Sequence, residues 1–258
     1  MAISYDVQDG IAIIKFNNPA KLNALTLAMY EELANSFKRA AGDPKVAVCI
    51  LTGEGEKSFC VGADLDESIP FLMEGNHDIS EWDDTHLKNT QMFKPIIGAV
   101  NGYCFGGGLE ILLSTDIRIS SNTALFGFPE VGIGVVPAGG TLVRLVRQIS
   151  YARTMELILT GRKFSAVEAL SYGILNEVVE PSELMDHALC YAEMILDNSA
   201  NAVQVAKESV IRLMSLPMEA AFHEEALWGQ RAFTNKDAEE GIKAFFENRK
   251  PKFPSKNW

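Results

Sequence analysis

Two glutamates stand twenty residues apart, each beside a glycine-containing turn. Glu110 follows the run Gly106-Gly107-Gly108, and Glu130 ends the sequence Phe126-Gly127-Phe128-Pro129-Glu130. Glycine lacks a Cβ, so a ligand can lie directly against the backbone, and the first N–H groups of a helix have no partner inside it. A glycine run that opens a helix therefore predicts a backbone site for an anion or an oxyanion. Two carboxylates beside such a site indicate acid–base chemistry on an activated carbonyl compound.

The segments around these residues predict the elements that must position them. The apolar residues 96–100 lead into Asn101-Gly102, which is typical of a buried strand that ends in a turn. The stretch 109–113 predicts a helix that starts at the glycine run, with Glu110 in its first turn. A strand, a glycine run and a helix start thus follow one another directly.

The rest of the chain alternates between predicted strands and helices and then becomes helical. The first predicted elements are a hairpin over residues 3–8 and 11–16 and a helix that is capped by Thr26 and runs to about Ala41. A strand covered on both faces is predicted over residues 46–51, and an edge strand over residues 176–180. Four amphipathic helices are predicted over residues 181–197, 200–214, 218–233 and 236–247. We expect an α/β fold with a core region, 1–196, and a C-terminal helical region, 197–258.

Composition excludes several classes of partner. The chain has 258 residues, enough for a full hydrophobic core, and its composition is ordinary for a globular protein, with 47% hydrophobic and 22% charged residues. A formal charge of −11 argues against nucleic acid as a partner, since phosphate binding needs a basic face. No apolar run approaches the length of a membrane span, and the first residues lack the pattern of a signal peptide, so we expect no membrane association and a cytoplasmic location.

The cysteines and histidines give no sign of a metal site. The four cysteines, Cys49, Cys60, Cys104 and Cys190, are widely spaced and favour reduced thiols over disulfides or zinc. Four histidines (His77, His86, His187 and His223) lack ligand spacing. The glycines between residues 132 and 140 do not match a dinucleotide-binding motif, and no phosphate-binding loop motif occurs. We therefore expect no metal and no redox cofactor.

Motifs spread along nearly the whole chain resemble one family. They are Asn23-Ala24-Leu25, the run from Phe59 to Leu65 (FCVGADL), Lys94-Pro95, Asn101-Gly102-Tyr103, Gly106 to Glu110 (GGGLE), Phe126 to Glu130 (FGFPE), Leu159-Thr160-Gly161 and Glu240-Gly241. In this combination and order they resemble the crotonase (enoyl-CoA hydratase/isomerase) superfamily. The resemblance implies a spiral of repeated ββα units with a C-terminal helical trimerisation region, assembled as a trimer or a dimer of trimers.

The resemblance also implies a ligand and roles for individual residues. The ligand is an acyl-CoA thioester, whose oxygen is held by the backbone N–H groups of Ala63 and Gly107. Glu110 holds and activates a water molecule, and Glu130 exchanges a proton at Cα of the acyl group. These roles imply an enoyl-CoA hydratase, which adds water reversibly across the 2,3 double bond.

Contacts with coenzyme A are implied at further positions. The backbone carbonyls at Val61 and Leu65 resemble those that receive the adenine amino group, and Phe233 resembles an aromatic residue beside the adenine. Lys21, Lys250 and Lys252 are candidates for the phosphates. The acidic segment 67–93 is expected to be partly helical. Residues 68–93 within it are expected to form the wall of the acyl pocket, with Trp82 and His86 as candidate lining residues.

Alternatives remain open at this stage. Relatives in the same superfamily act as double-bond isomerases, carnitinyl-CoA-type dehydratases or CoA-thioester hydrolases, and a non-catalytic acyl-CoA-binding or RNA-binding homologue is a further possibility.

Asp64 is expected to cap a helix or orient its loop rather than act in catalysis. Asp116 and Arg118 are expected to form a structural ion pair beneath the site.

Overall fold

The computed structural model describes residues 2–75 and 77–256. Two β-sheets form the centre of the fold in these residues. The strands there, in chain order, are β1 (Ile3–Gln8), β2 (Ile11–Phe16), β3 (Val48–Gly53), β4 (Ser58–Cys60), β5 (Ile96–Val100), β6 (Tyr103–Phe105), β7 (Ile117–Ser121), β8 (Leu125–Gly127), β9 (Phe164–Ser165) and β10 (Glu177–Val179). The larger sheet has the order β1-β2-β3-β5-β7-β10, and the smaller sheet has the order β4-β6-β8-β9.

The chain winds between the two sheets as a spiral. Each of the consecutive pairs β3–β4, β5–β6 and β7–β8 places its first strand in the larger sheet and its second in the smaller one. Strands from successive turns pair in parallel, β3 with β5 and β5 with β7 in one sheet, and β4 with β6 and β6 with β8 in the other. This arrangement confirms the spiral α/β fold that the sequence resemblance implied.

Ten α-helices complete the described part of the chain. They are α1 (Leu27–Gly42), α2 (Ser68–Met73), α3 (Gly107–Leu112), α4 (Thr141–Gln148), α5 (Tyr151–Thr160), α6 (Ala166–Tyr172), α7 (Leu184–Leu196), α8 (Ala200–Leu213), α9 (Met218–Phe233) and α10 (Lys236–Phe246). Within the described ranges, no helix has both the length and the apolar character that a bilayer crossing requires.

The central strands β3 and β5 of the larger sheet are buried on both faces because their side chains point alternately into two cores. In β3, Cys49 and Leu51 face a core that also contains Phe59 and Phe126 of the smaller sheet. The intervening residues of β3 face a second core, which Ala188 and other residues of α7 cover. Side chains along a strand point alternately to its two faces, so a strand covered on both faces needs apolar residues at every position.

Most of the elements expected from the sequence are confirmed. The hairpin turns at Asp9-Gly10, where both residues have a positive φ, 49° and 84°. The Thr26 side chain accepts a hydrogen bond from the backbone N–H of Met29 and so caps α1. Strands β3 and β10 and the four helices from α7 to α10 occupy the expected places. The expected helical content of the segment 67–93 is confirmed by α2 and by a short 3₁₀ helix, Ile79–Trp82. The division at residue 196 stays a prediction.

The expected ion pair between Asp116 and Arg118 is wrong. The Asp116 carboxylate instead accepts a hydrogen bond from the backbone N–H of Ile96 at 2.7 Å and pairs with Lys207 of α8, also at 2.7 Å. Arg118 is buried and donates to backbone carbonyls and to the side chain of Gln148. Their side chains therefore have separate partners, although residues two apart along a strand point to the same face. Asp116 thereby links helix α8 of the C-terminal region to strand β5 of the larger sheet.

Replacing Asp116 by Ala is expected to destabilise the protein by about 1–3 kcal/mol, because the Ile96 N–H loses its partner and Lys207 loses its counter-ion. Urea unfolding followed by circular dichroism measures the effect. Asp116→Asn keeps an oxygen for the Ile96 N–H and removes the charge, so it should lie between Ala and the unaltered protein. An Ala variant with an unchanged midpoint would contradict this account.

Candidate active site

Two of the three consecutive glycines before Glu110 have separate reasons to lack a side chain, and the third begins the helix. Gly106 precedes α3 with φ 51°, a conformation that side chains disfavour. A Cβ on Gly108 would lie 2.2 Å from the carbonyl oxygen of Cys60, so α3 could not pack against β4. Gly107 is the first residue of α3, and its backbone adjoins the turn at Gly62. The glycine run therefore brings a helix start against a neighbouring loop.

The amides of Ala63 and Gly107 are neighbours. A Cβ on Gly107 would lie 3.8 Å from the Ala63 nitrogen, and a Cβ on Gly62 would lie 2.8 Å from the Gly107 nitrogen. The loop is held in place by Leu25, whose N–H donates to the Gly62 carbonyl at 2.8 Å and whose carbonyl accepts from Asp64 at 2.9 Å. Within the described chain, neither amide donates to a protein acceptor. Two free N–H groups at one place suit a developing oxyanion.

Glu110 is almost completely buried, with 5% of its surface exposed. Its carboxylate accepts hydrogen bonds from the backbone N–H of Gly139 at 2.9 Å and of Thr141 at 3.3 Å, which lie just before and at the start of α4. Burial raises the pKa of the Glu110 carboxyl, while the hydrogen bonds from the Thr141 and Gly139 segment oppose that rise. The group is thus fixed in place and more basic than a carboxylate in water.

Glu130 lies in the first turn of a 3₁₀ helix, Pro129–Ile133, that follows β8. Its Oε1 would lie 2.9 Å from a Cβ on Gly106, and its Oε2 is buried without a hydrogen-bond partner in the described chain. Burial raises the pKa of the Glu130 carboxyl to about 7, and the charge of Glu110 adds to the rise. The unpartnered oxygen and the raised pKa are the properties of a carboxyl group that can give a proton near neutral pH.

Successive turns of the spiral supply these groups. Ala63 follows β4, Gly107 follows β6 and Glu130 follows β8, and these three strands are parallel neighbours in the smaller sheet. Because the carboxyl ends of parallel strands meet at one edge of a sheet, residues separated in sequence come together there. The structure thus brings the four predicted groups, with Glu110 in α3, to one place.

Tyr30 is a site residue that the sequence did not indicate. It is buried, with its hydroxyl 3.6 Å from the position of a Cβ on Gly107, and it stacks on Trp82 with ring centroids 3.9 Å apart. Burial and the carboxyl groups of Glu110 and Glu130 raise its pKa well above the ordinary value. Its spacing along α1 is that of an ordinary core residue, so no sequence signal separated it from its neighbours on that face.

The predicted coenzyme A contacts near the loop lie at its open side. Leu65 is 63% exposed, and the carbonyl groups of Val61 and Leu65 accept no hydrogen bond within the described residues. Lys21 pairs with Asp64 at 2.7 Å, and the Asp64 carboxylate also accepts from the backbone N–H of Asp66 at 2.9 Å. Asp64 therefore orients its own loop, as expected, and it anchors Lys21 there.

The predicted contacts in the helical region lie apart from that loop. Phe233, at the end of α9, is 80% exposed and borders a cavity of about 350 Å³ with Ile242 and Phe253. Lys250 is exposed and lies 4.0 Å from Asp197. In the described chain neither Phe233 nor Lys250 forms a hydrogen bond or ion pair with the residues around Ala63 and Gly107.

Trp82 and His86 are both buried beside the site. Trp82 borders a cavity of about 480 Å³ between α1 and the segment 71–85. His86 lies against Gly139, whose backbone holds Glu110: a Cβ on Gly139 would lie 2.4 Å from Nε2 of His86 and 2.5 Å from Oε2 of Glu110. The segment 67–93 thus packs against the backbone that holds the Glu110 carboxylate.

Comparisons with known proteins show the family and the fold of the chain. The family model described as "Enoyl-CoA hydratase/isomerase" matches residues 6–256. The chain belongs to the enoyl-CoA hydratase/isomerase family. An (E)-benzylidenesuccinyl-CoA hydratase from Thauera aromatica is 38% identical over 98% of this chain and 99% of the relative, and a short-chain-enoyl-CoA hydratase from Clostridium acetobutylicum is 38% identical over 93% and 92%. The crystal structure of an enoyl-CoA hydratase from Mycobacterium tuberculosis matches with a TM-score of 0.91 at 34% identity, over 98% of this chain and 99% of that one.

Removal of the Glu110 charge is expected to lower the pKa of Glu130 from about 7, because a like charge nearby raises it. Burial of Glu130 remains, so its pKa in Glu110→Gln should stay above the ordinary 4.5. NMR titration of ¹³C-labelled glutamate measures the pKa of Glu130 in the unaltered protein and in Glu110→Gln. The Glu130→Gln variant identifies the Glu130 signal. A Glu130 carboxyl that titrates at its ordinary value in the unaltered protein would contradict this account.

Proposed function

We propose that the protein is an enoyl-CoA hydratase that adds water reversibly across the 2,3 double bond of a 2-enoyl-CoA thioester. The observation that carries the proposal is the convergence of two backbone amides without a protein acceptor in the described chain, at Ala63 and Gly107, with two carboxyl groups of raised pKa, the buried Glu110 and the half-buried Glu130. Relatives that match this chain over most of their length are named as hydratases. The carboxyl pair favours hydration over reactions that need a single acid or base.

The two amides would polarise the substrate. When the thioester oxygen accepts hydrogen bonds from Ala63 and Gly107, negative charge moves onto it as a nucleophile attacks Cβ of the double bond. Donors that are already in place and shielded from water stabilise that charge more than water does, and one such donor is typically worth about 3 kcal/mol. The side chain of Tyr30 packs beside Gly107 and covers the pair of amides on the side of α1.

The two carboxyl groups divide the proton transfers. Glu110, whose position is fixed by the Gly139 and Thr141 amides, would take a proton from the water that attacks Cβ. Glu130, with a pKa of about 7, is protonated in part of the molecules at neutral pH and would deliver a proton to Cα. General acid–base catalysis of this kind contributes about 10²–10⁴-fold. The reverse sequence removes water from a 3-hydroxyacyl-CoA.

The reaction requires no metal or redox group, since the thioester itself provides the electron sink. Coenzyme A enters as part of the substrate. We place its adenine at the carbonyl groups of Val61 and Leu65, and its phosphates near Lys21. Phe233 and Lys250 would contribute to the same ligand, and their positions in the helical region allow them to do so across an interface between subunits.

Glu130→Gln is expected to lower the rate of crotonyl-CoA hydration by at least about a hundredfold, because the amide cannot deliver a proton to Cα. The loss of absorbance of the conjugated double bond measures the rate. Glu183→Gln is the matched control, since Glu183 also lies in a short 3₁₀ helix that begins with proline but is exposed. A smaller loss in Glu130→Gln, release of free thiol, or a shifted double bond with no water added would contradict the proposal.

We further propose a homo-oligomer, a trimer or a dimer of trimers, assembled through the helical region. Large apolar side chains are exposed along its helices, among them Met214, Met218, Phe222, Phe245 and Phe246. So many exposed large apolar side chains in one region favour an interaction site there. The net charge of −11 does not favour nucleic acid as the partner.

Sedimentation equilibrium is expected to give a multiple of three times the chain mass of 28.3 kDa. Phe222→Asp, which places a charge at an exposed apolar position of α9, should shift the mass towards the monomer. Val167→Asp is the control, because Val167 is equally exposed (65%, against 64% for Phe222) but lies in α6 of the core region. A monomeric mass for the unaltered protein, or a mass that Phe222→Asp does not change, would contradict this proposal.

A further inference from the structure

The side chain of Tyr30 is held by two elements of the structure. Only 3% of the residue is exposed. Its ring stacks on Trp82, with the centroids 3.9 Å apart and the planes within 9° of parallel. The hydroxyl of Thr85 donates to the backbone carbonyl of Tyr30 at 2.7 Å. Because α1 carries Tyr30 and the segment 67–93 carries its two partners, the hydroxyl at the end of the ring has a fixed position.

That hydroxyl has no hydrogen-bond partner among the described residues. Buried tyrosine hydroxyls usually have one. The oxygen is also not sealed inside the protein. Tyr5 has an unpartnered oxygen that is fully enclosed, whereas the unpartnered oxygen of Tyr30 is not among the enclosed ones. The small exposed area of Tyr30 therefore includes its hydroxyl oxygen, which a ligand group can contact.

The Tyr30 hydroxyl lies at the pair of backbone amides. Its oxygen is 3.6 Å from the position of a Cβ on Gly107, and the Ala63 nitrogen is 3.8 Å from the same position. By standard bond geometry the Gly107 nitrogen is about 2.5 Å from it. Outside the adjoining backbone no atom comes closer to that position than the Cα of Gly62, at 3.5 Å. Two amides and one hydroxyl thus border the same small space.

The Tyr30 hydroxyl keeps its proton at neutral pH. Burial is the largest cause that raises the pKa of Tyr30 well above its ordinary value, and Cys60, Glu110 and Glu130 act in the same direction. Neither glutamate accepts a hydrogen bond from this hydroxyl in the part of the chain that the structure describes. The O–H group is therefore available as a donor.

We propose that Tyr30 is a catalytic residue whose hydroxyl donates a third hydrogen bond to the thioester oxygen, beside the amides of Ala63 and Gly107. This inference rests on the proposed hydratase function. The oxygen becomes enolate-like as the nucleophile attacks Cβ, and an enolate oxygen has three lone pairs for three donors. The bond strengthens as the negative charge grows, so it lowers the barrier more than it tightens binding. The hydroxyl keeps its proton, and no covalent bond to Tyr30 forms or breaks.

Tyr30→Phe removes the oxygen and keeps the ring that stacks on Trp82. Its kcat for crotonyl-CoA hydration should fall about a hundredfold, the lower end of the effect of one lost oxyanion donor. KM should change by less than about threefold, since the lost bond acts mainly in the transition state. A ring that only covers the amides would work equally well as phenylalanine. A kcat within about threefold of the unaltered protein would therefore overturn the proposal.

The matched control is Tyr5→Phe. Tyr5 lies in β1, its hydroxyl also lacks a hydrogen-bond partner, and burial raises its pKa to about 12. Its ring packs under the guanidinium of Arg39, 4.1 Å from the ring centroid, rather than beside the amides. Tyr5→Phe should leave both kcat and KM unchanged. Equal losses of kcat in the two variants would overturn the proposal, because they would reflect the removal of any buried hydroxyl.

Urea unfolding tests the same hydroxyl without any substrate. Since it has no partner within the described protein, Tyr30→Phe should not lower the unfolding midpoint. A clearly lower midpoint, or a variant that fails to fold, would mean that the hydroxyl serves the structure of the protein. Either result would overturn the proposal.

Infrared spectra of bound [1-¹³C]butyryl-CoA separate this inference from the hydratase function, because a saturated thioester cannot be hydrated. Binding to the unaltered protein should lower the frequency of the labelled carbonyl, and part of that lowering should be lost in Tyr30→Phe but not in Tyr5→Phe. Equal frequencies in Tyr30→Phe and the unaltered protein would overturn the inference even if crotonyl-CoA is hydrated. A loss in Tyr30→Phe without any hydration of crotonyl-CoA would support the third donor and overturn the hydratase function. Failure of butyryl-CoA to bind the unaltered protein would overturn both.

Discussion

The structure depends on one close approach, that of the Gly62-Ala63 turn to the start of α3. The two backbones come together only because the residues on both sides lack side chains: a Cβ on Gly62 would meet the Gly107 nitrogen at 2.8 Å, and a Cβ on Gly108 would meet the Cys60 carbonyl at 2.2 Å. This contact brings together two ordinary peptide N–H groups that have no acceptor among the described residues. The electrostatic properties of the neighbouring carboxyl groups matter only because that pair is there.

Burial is the second constraint, and it acts on all the titratable groups of the site in the same way. Glu110, Glu130, Tyr30 and His86 are each shifted towards their neutral forms, with loss of water as the largest cause. The backbone amides of Gly139 and Thr141 act against it at Glu110 alone. The two carboxyl groups thus differ in their hydrogen bonds: Glu110 accepts from two backbone amides, whereas Oε2 of Glu130 has no partner in the described chain.

Much of the fold and part of the site could be predicted from the sequence, for identifiable reasons. Apolar runs such as β3 and the glycine run before α3 are local signals, so the strands, the spiral and the positions of Glu110 and Gly107 followed from them together with the family resemblance. Contacts between distant segments left no such signal. Tyr30 has the spacing of a core residue, and Asp116 pairs with Lys207, a residue far away in the sequence, rather than with the nearby Arg118. Side-chain partners across a fold are set by tertiary packing, which a pattern of residue types does not encode.

The spiral also determines when the site can exist during folding. Ala63, Gly107 and Glu130 follow β4, β6 and β8, which belong to three successive turns, and each turn joins the previous one by parallel strand pairing. Parallel pairing brings together segments far apart in the chain and forms slowly. A nascent chain that has completed two turns holds both amides but not Glu130, so the site of the proposed reaction is complete only when the third turn has closed. A thioester that contacts all three turns therefore stabilises the completed spiral over any partly wound form.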